Sequence, residues 1–157
     1  MKLKFLVPVL ALAFALPCSA TESPKAEINK VIARFQSSLK KHDAEALGRL
    51  FVSGSDAWVT TLGDTTLKTM RDKHPTAPRY KVGTRKSFLD FVSSNSSDID
   101  EEFHDVRIDT DGSIASVYFT FEFLMDGKVQ NRGAETWQLV KTDDGWKIAA
   151  MLYSSNF

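Results

Sequence analysis

The chain has 157 residues, 20 basic and 20 acidic side chains, and a formal net charge of zero. Without its first twenty residues, which hold Lys2, Lys4 and the single cysteine Cys18, 137 residues remain with 18 basic and 20 acidic groups. That balance gives no electrostatic reason to bind nucleic acid or an anionic membrane surface, rules out disulfides, and suits one domain with one core.

The opening "MKLKFLVPVLALAFALPCSA" has a basic start, an apolar run from Phe5 to Leu16 and a small-residue end. This predicts a secretory signal peptide cleaved after Ala20, because the run is too short to span a bilayer and no second one follows. The expected location is the periplasm of a Gram-negative cell or the exterior, with no transmembrane segment and a single domain over 21–157. Pro17 directly before Cys18 fits poorly with a lipoprotein signal, so acylation of Cys18 is not expected.

Over 27–41, Ile28, Val31, Ile32, Phe35 and Leu39 recur at helical spacing. A second helix is predicted in "HDAEALGRLFV", with Asp43 as its cap and Leu47, Leu50 and Phe51 on one face. His42 and Asp43 read as helix punctuation. "DAWVTTL" (56–62) reads as a strand, and 63–83 as a long irregular connection with a helical turn near "LKTMRD", suited to a lid over a pocket. A third helix is predicted over 85–92 with Thr84 as cap. Strands follow at 101–109, 114–124, 128–141 and 146–154, separated by Asp-Gly turns at 111–112, 126–127 and 144–145. Helices first and an antiparallel meander afterwards predict an α+β domain.

Strand alternation assigns faces. An even loop at 142–145 puts Glu135, Trp137 and Leu139 on the core face with Ile148, Ala150, Leu152 and Ser154. The apolar set Ala115, Val117, Phe119, Phe121 and Phe123 joins that face if Gly127 is a left-handed bulge, which sets Val117 across from Glu135 and Phe119 across from Gly133. A two-residue turn at 111–112 brings Val106, Ile108 and His104 inward, His104 opposite Phe119. His104 and Glu135 then share one concavity, with Gly133 leaving room between them.

"DGKVQNRGAETWQLVKTDDGWKIAAMLYSS", with "IASVYFTFEFLM" before it and the early "HDAEALGRLF", resembles the nuclear transport factor 2-like superfamily, especially its SnoaL-like and uncharacterised exported bacterial branches. The likeness is strongest at "GWKI" (145–148) and "WQLV" (137–140). It implies a cone-shaped, cystatin-like α+β domain: three N-terminal helices on a curved antiparallel sheet, a pocket between helices and sheet, and often a dimer through the outer sheet face. Tyr118, Ala134, Thr136, Ala149, Met151 and Tyr153 would form that outer patch. The superfamily holds isomerases, cyclases, dehydratases and hydrolases as well as non-enzymatic binding modules, so fold alone does not give function. None of the family's catalytic motifs matches this chain residue by residue.

A carboxylate on an apolar face has a raised pKa and can act as general base or acid near neutral pH. Glu135 is the candidate, with His104 as proton partner and Trp58, Tyr80, Val117, Phe119, Trp137 and Leu152 as pocket walls. Alternatively, Glu135 pairs with a helix arginine such as Arg34 or Arg49, or lies in water at the sheet rim. Histidines at 42, 74 and 104 have no metal-ligand spacing, and neither a nucleophile elbow nor a phosphate loop is present, so no metal or cofactor is expected. The expected function is an exported domain binding a small, mostly apolar molecule. The alternatives are a cofactor-independent lyase, isomerase or hydrolase using Glu135, and a non-catalytic homodimeric interaction module.

Overall fold

Ser23 opens helix α1 (Pro24–Lys40): its hydroxyl accepts from the Ala26 N–H at 3.3 Å, and Pro24 occupies the first turn, where no backbone donor is needed. The computed structural model describes residues 22–157, so the expected signal peptide and Cys18 lie outside the described residues. Ile28, Val31, Ile32, Phe35 and Leu39 of α1 are all buried. Helix α2 (Ala44–Gly48) starts at Asp43, whose carboxylate accepts from the Ala46 N–H at 2.8 Å, while His42 takes φ 55° to turn the chain between the helices. Both residues therefore serve the helix junction.

Strand β1 (Ala57–Leu62) is followed by a segment more ordered than its sequence predicts. Residues 63–83 contain helix α3 (Asp64–Lys73) and strand β2 (Tyr80–Val82). Only Thr66 and Leu67 of α3 are buried, so it has no apolar stripe to reveal it. It is held by long-range polar contacts instead: Arg79 pairs with Asp64 at 2.8 Å, and the Phe157 N–H donates to the Thr66 hydroxyl at 3.2 Å. Helix α4 (Arg85–Ser94) begins at Thr84, whose hydroxyl accepts from the Ser87 N–H at 3.0 Å. Among the described residues no helix is long and apolar enough to cross a membrane.

The last four strands, β3 (Ile99–Thr110), β4 (Ile114–Met125), β5 (Lys128–Thr142) and β6 (Gly145–Ser155), form an antiparallel meander. β1 joins β6 in parallel and β2 joins β1 antiparallel, giving one six-stranded sheet in the order β2-β1-β6-β5-β4-β3. α1 packs on β3 and β6, and α4 on α2. Between helices and sheet lies an aromatic core in which Trp137 and Phe119 are fully buried, with Trp137 4.8 Å from Phe35 and 5.1 Å from Phe119 between ring centroids.

Three bulges set the faces, and each lies where the sequence pattern does not mark it. In β3 the register breaks at Asp105 (φ 53°) and Val106, so Ile108 opposes Val117 but His104 opposes Thr120. The bulge reverses the alternation: Phe103 and Glu101 point inward, while His104 points outward and Val106 is partly exposed. The turn at Asp126-Gly127 is a two-residue turn with both φ positive, and the extra residue is Gln130, further along β5. Phe119 therefore opposes Glu135, Val117 opposes Trp137 and Phe121 opposes Gly133, two residues from the predicted register.

The third bulge, at Ala149 in β6, corrects the predicted faces. Leu139 opposes Ile148, as an even loop requires, but Trp137 opposes Met151 and Glu135 opposes Tyr153. Leu152 is thus 49% exposed on the outer face, while Met151 and Tyr153, expected in the outer patch, point inward. The bulge lets the segment entering β1 attach to β6: the Val52 N–H donates to the Ile148 carbonyl at 2.9 Å, and the Ser55 hydroxyl to the Ala149 carbonyl.

Candidate functional site

A cavity of about 330 Å³ opens between α1, α4 and the inner sheet face, at the low end of volumes that hold small ligands. Phe35, Trp58, Phe88, Phe91, Phe121 and Phe123 supply most of its apolar wall. Phe88 of α4 stands 4.9 Å from Trp58 of β1 and 6.0 Å from Phe35 of α1 between centroids, so α4 meets both the sheet and α1 at this wall. Polar side chains in the lining include Glu101, Asn131 and Glu135, with Thr60, Lys81, Thr84, Ser87 and Tyr153 around them.

Glu135 sits in an inner cross-strand row running Phe119, Glu135, Tyr153, Thr60 and Lys81. It is 4% exposed, and the Trp137 indole N–H donates to its carboxyl. Burial drives the carboxyl pKa up to about 8, with the indole hydrogen bond pulling against it. Neither expected arginine reaches it: Arg49 pairs with Glu45, and Arg34 is exposed on α1.

Glu101 is the residue that the sequence pattern did not single out. It belongs to the row Glu101, Phe123, Asn131, and is 8% exposed. Its carboxyl is pushed well above the usual range, first by burial, then by the charge of Glu135, then by that of Asp100. Among the described residues no side chain hydrogen-bonds or ion-pairs with it; the Gln36 amide reaches only its backbone carbonyl, at 3.0 Å, and so ties β3 to α1. The Asn131 Oδ1 is buried and has no hydrogen-bond partner either. Buried polar atoms are nearly always satisfied, which makes the Asn131 oxygen an exception among the described residues, while the Glu101 carboxyl lines the open cavity. The one sequence signal for Glu101 is the run "DIDEEF", in which a bulge downstream decides which acid turns inward.

His104 is not part of this site. It lies on the outer face, half exposed, with Nε2 4.0 Å from Glu102, and Glu102, His104 and Glu122 bring their polar atoms within 4.8 Å of one another there. Arg132 lies 3.7 Å from Glu122, so the group is a mixed ionic cluster on the surface. Of the other residues assigned to the pocket, Trp58 lines the cavity, Val117, Phe119 and Trp137 lie behind its wall in the core, Tyr80 is 63% exposed, and Leu152 faces away. Gly133 makes room, but for backbone: a Cβ there would stand 2.0 Å from the Ser154 carbonyl oxygen.

The arrangement can bind a molecule with an apolar body and a donor-bearing head, and it can hold or move a proton at Glu135 or Glu101. Two carboxyls in one poorly solvated pocket cannot both ionise without a compensating charge.

No family model and no curated protein matches the chain. Solved structures do. An NTF2-like protein from Cytophaga hutchinsonii superposes with a TM-score of 0.63 at 13% identity, covering 86% of this chain and 100% of that one. A Streptomyces avermitilis protein, proposed by its name to be a dehydratase of the NTF2-like family, gives 0.58 at 20% identity over 86% and 99%. A proposed scytalone dehydratase from Novosphingobium aromaticivorans gives 0.60 at 15% identity over 85% and 84%. At these identities the likeness is one of architecture, and it is consistent across the whole described domain: the chain has the nuclear transport factor 2-like, or cystatin-like, fold.

Proposed function

We propose that the protein is an exported small-molecule-binding domain whose ligand sits in the cavity between α1, α4 and the sheet. The observation that supports this most directly is the cavity itself, in which the buried carboxyls of Glu101 and Glu135 are set in a largely aromatic wall without an ion-pair partner among the described residues. A cavity with few polar groups set in an apolar lining is the usual form of a ligand site. The open space also counts against a module whose pocket is filled by its own aromatic rings. Native mass spectrometry of protein purified from its own host tests the reading: a stoichiometric small molecule is expected, and is lost on Ser87→Trp, which plugs the opening. Protein that carries no molecule and binds none from a metabolite extract would remove it. Export is tested alongside by N-terminal sequencing of the periplasmic fraction, expected to begin at Thr21.

A second reading, cofactor-independent acid–base catalysis, is favoured by the Glu135 pKa of about 8. At neutral pH such a group is mostly protonated and acts first as an acid; it becomes a base as its proton passes to substrate or solvent. Its partner is Glu101 rather than His104. The neighbours named as dehydratases are compatible with this chemistry. Homodimerisation through the outer sheet face is proposed as well, around the exposed Leu152 and the row Tyr118, Thr136, Leu152, Val59. Leu152→Glu is expected to give a monomer in sedimentation.

A further inference from the structure

We propose that the ligand is a small organic cation, a protonated amine on an apolar body, with its ammonium group held by the carboxyls of Glu101 and Glu135. This rests on the reading that the cavity binds a small molecule, and it names the chemistry of that molecule. A primary ammonium offers three N–H donors and no acceptor, and the cavity wall offers two carboxyls, which are the strongest acceptors in its lining. The Glu101 carboxyl makes no ion pair among the described residues, and Glu135 is engaged through one oxygen by the Trp137 indole. Neither carboxyl has a lysine, arginine or histidine within ion-pair distance, and Lys81 lines the same cavity at its mouth, so a bound ammonium would be the cation in direct contact with the pair.

The apolar lining fits the rest of such a molecule. Phe123 stands between Glu101 and Asn131 in their row, with Phe91 6.1 Å away, and Trp58 and Phe88 face the same space. Ring faces attract a cation as well as burying an apolar body. A neutral alcohol or phenol brings a single hydroxyl donor and leaves acceptors unmatched and the charge uncompensated. A calcium ion needs six to eight oxygen ligands, and an aromatic wall with two carboxyls and one amide does not supply them.

The proposal fixes a proton balance. Binding of R–NH3⁺ to the protonated pair forms an ammonium–carboxylate contact and releases a carboxyl proton to solvent; the ammonium keeps its own proton. The titratable groups facing the site are Glu101 from β3, Glu135 from β5, Tyr153 from β6 and Lys81 from β2 at the mouth, and α1 and α4 contribute only Phe35, Thr84, Ser87, Phe88 and Phe91, none of which titrates in this range. Affinity is therefore expected to rise with pH towards about 8, where Glu135 titrates, and to fall when the amine itself deprotonates near about pH 10.

The test compares three probes of one shape by titration calorimetry: 2-phenylethylamine, 2-phenylethanol and 3-phenylpropanoate, with calcium chloride as a fourth arm. The amine is expected to bind about tenfold or more tighter than the alcohol, with heats that change between buffers of different ionisation enthalpy because a proton is released. The anion and calcium are expected not to bind. Glu101→Gln, which keeps shape and removes the charge, is expected to weaken the amine by about tenfold and leave the alcohol unchanged. Equal or tighter binding of the alcohol or the anion overturns the amine assignment while leaving small-molecule binding intact. Calcium binding that depends on Glu101 overturns it in favour of a metal, and failure of all four probes overturns it too. The broader binding reading is decided separately by mass spectrometry of protein from its host.

Discussion

The Trp137 indole N–H donates to the carboxyl of Glu135, two positions away on the same face of β5. This contact joins the core to the cavity: Trp137 is fully buried among Phe35, Phe103 and Phe119, and Glu135 carries the connection to the open side. Removing the indole donor while keeping an aromatic ring separates its electrostatic effect from its packing. Trp137→Phe is expected to raise the Glu135 pKa beyond about 8, because the hydrogen bond is the influence that lowers it. Carboxyl-carbon NMR titration reads this directly; an unchanged pKa would show that the indole does not engage the carboxyl in solution. A cost of about 3 kcal/mol in urea unfolding is expected from the lost ring volume and the orphaned acceptor.

Glu135 also sets a pH dependence of stability. Its folded pKa, about 8, lies above the 4.5 of the unfolded chain, so the folded state holds more protons between those values. Stability contributed by the protonated form is complete below about pH 4.5 and is lost as pH rises through about 8. Glu101, shifted in the same direction, adds to the same trend. Glu135→Gln retains an oxygen for the Trp137 indole and cannot ionise. It is expected to flatten the fall in melting temperature between pH 5 and pH 8. A variant with the same slope as the parent would show that Glu135 titrates normally.

Gly133 is required by backbone proximity. A Cβ at this position would meet the Ser154 carbonyl oxygen at 2.0 Å and its hydroxyl at 2.7 Å. The hydroxyl also accepts from the Ala134 N–H at 3.0 Å, so the strands cannot separate there without losing that bond. Gly133→Ala is expected to cost about 2 kcal/mol or more, measured by chemical unfolding, and to speed amide exchange at Ala134. Gly127, in contrast, has nothing near its absent Cβ but sits at φ 71°, so an alanine there is disfavoured by backbone conformation alone.

His104→Ala is expected to change stability by no more than about 0.5 kcal/mol and to leave cavity binding untouched, since the ring lies on the outer face beside Glu102. Probe affinity in calorimetry checks this. A large loss would place the ring closer to the cavity than its strand register allows.

Which parts of this molecule can be read from its residues depends on how local their causes are. The amphipathic stripe of α1, the caps at Asp43 and Thr84 and the even loop at 142–145 all depend on side chains within a few positions, so pattern and chemistry reveal them. Of α3 only a helical turn near "LKTMRD" was legible, because its anchors, Arg79 and Phe157, lie 15 and 91 residues from their partners in the helix. The inward position of Glu135 was also legible, since the parity of the surrounding apolar residues survives a register error of two.

Glu101 and His104 show the limit. Both lie on one strand, and alternation from the Asp111-Gly112 turn places His104 inside and Glu101 outside. The bulge at Asp105 and Val106 exchanges them, and a bulge is decided by how β3 fits against β4 and α1, through contacts such as Gln36 to the Glu101 carbonyl. Likewise the bulge at Ala149 exists because Val52 and Ser55, nearly a hundred residues earlier, pair with β6. The residues alone determined the α+β class, the helix faces and an inward acid at 135, because those follow from periodicity and short-range hydrogen bonding. Only the tertiary structure decided that the second acid is Glu101, because one extra residue in a strand reverses every side chain beyond it and the force that places it comes from distant partners.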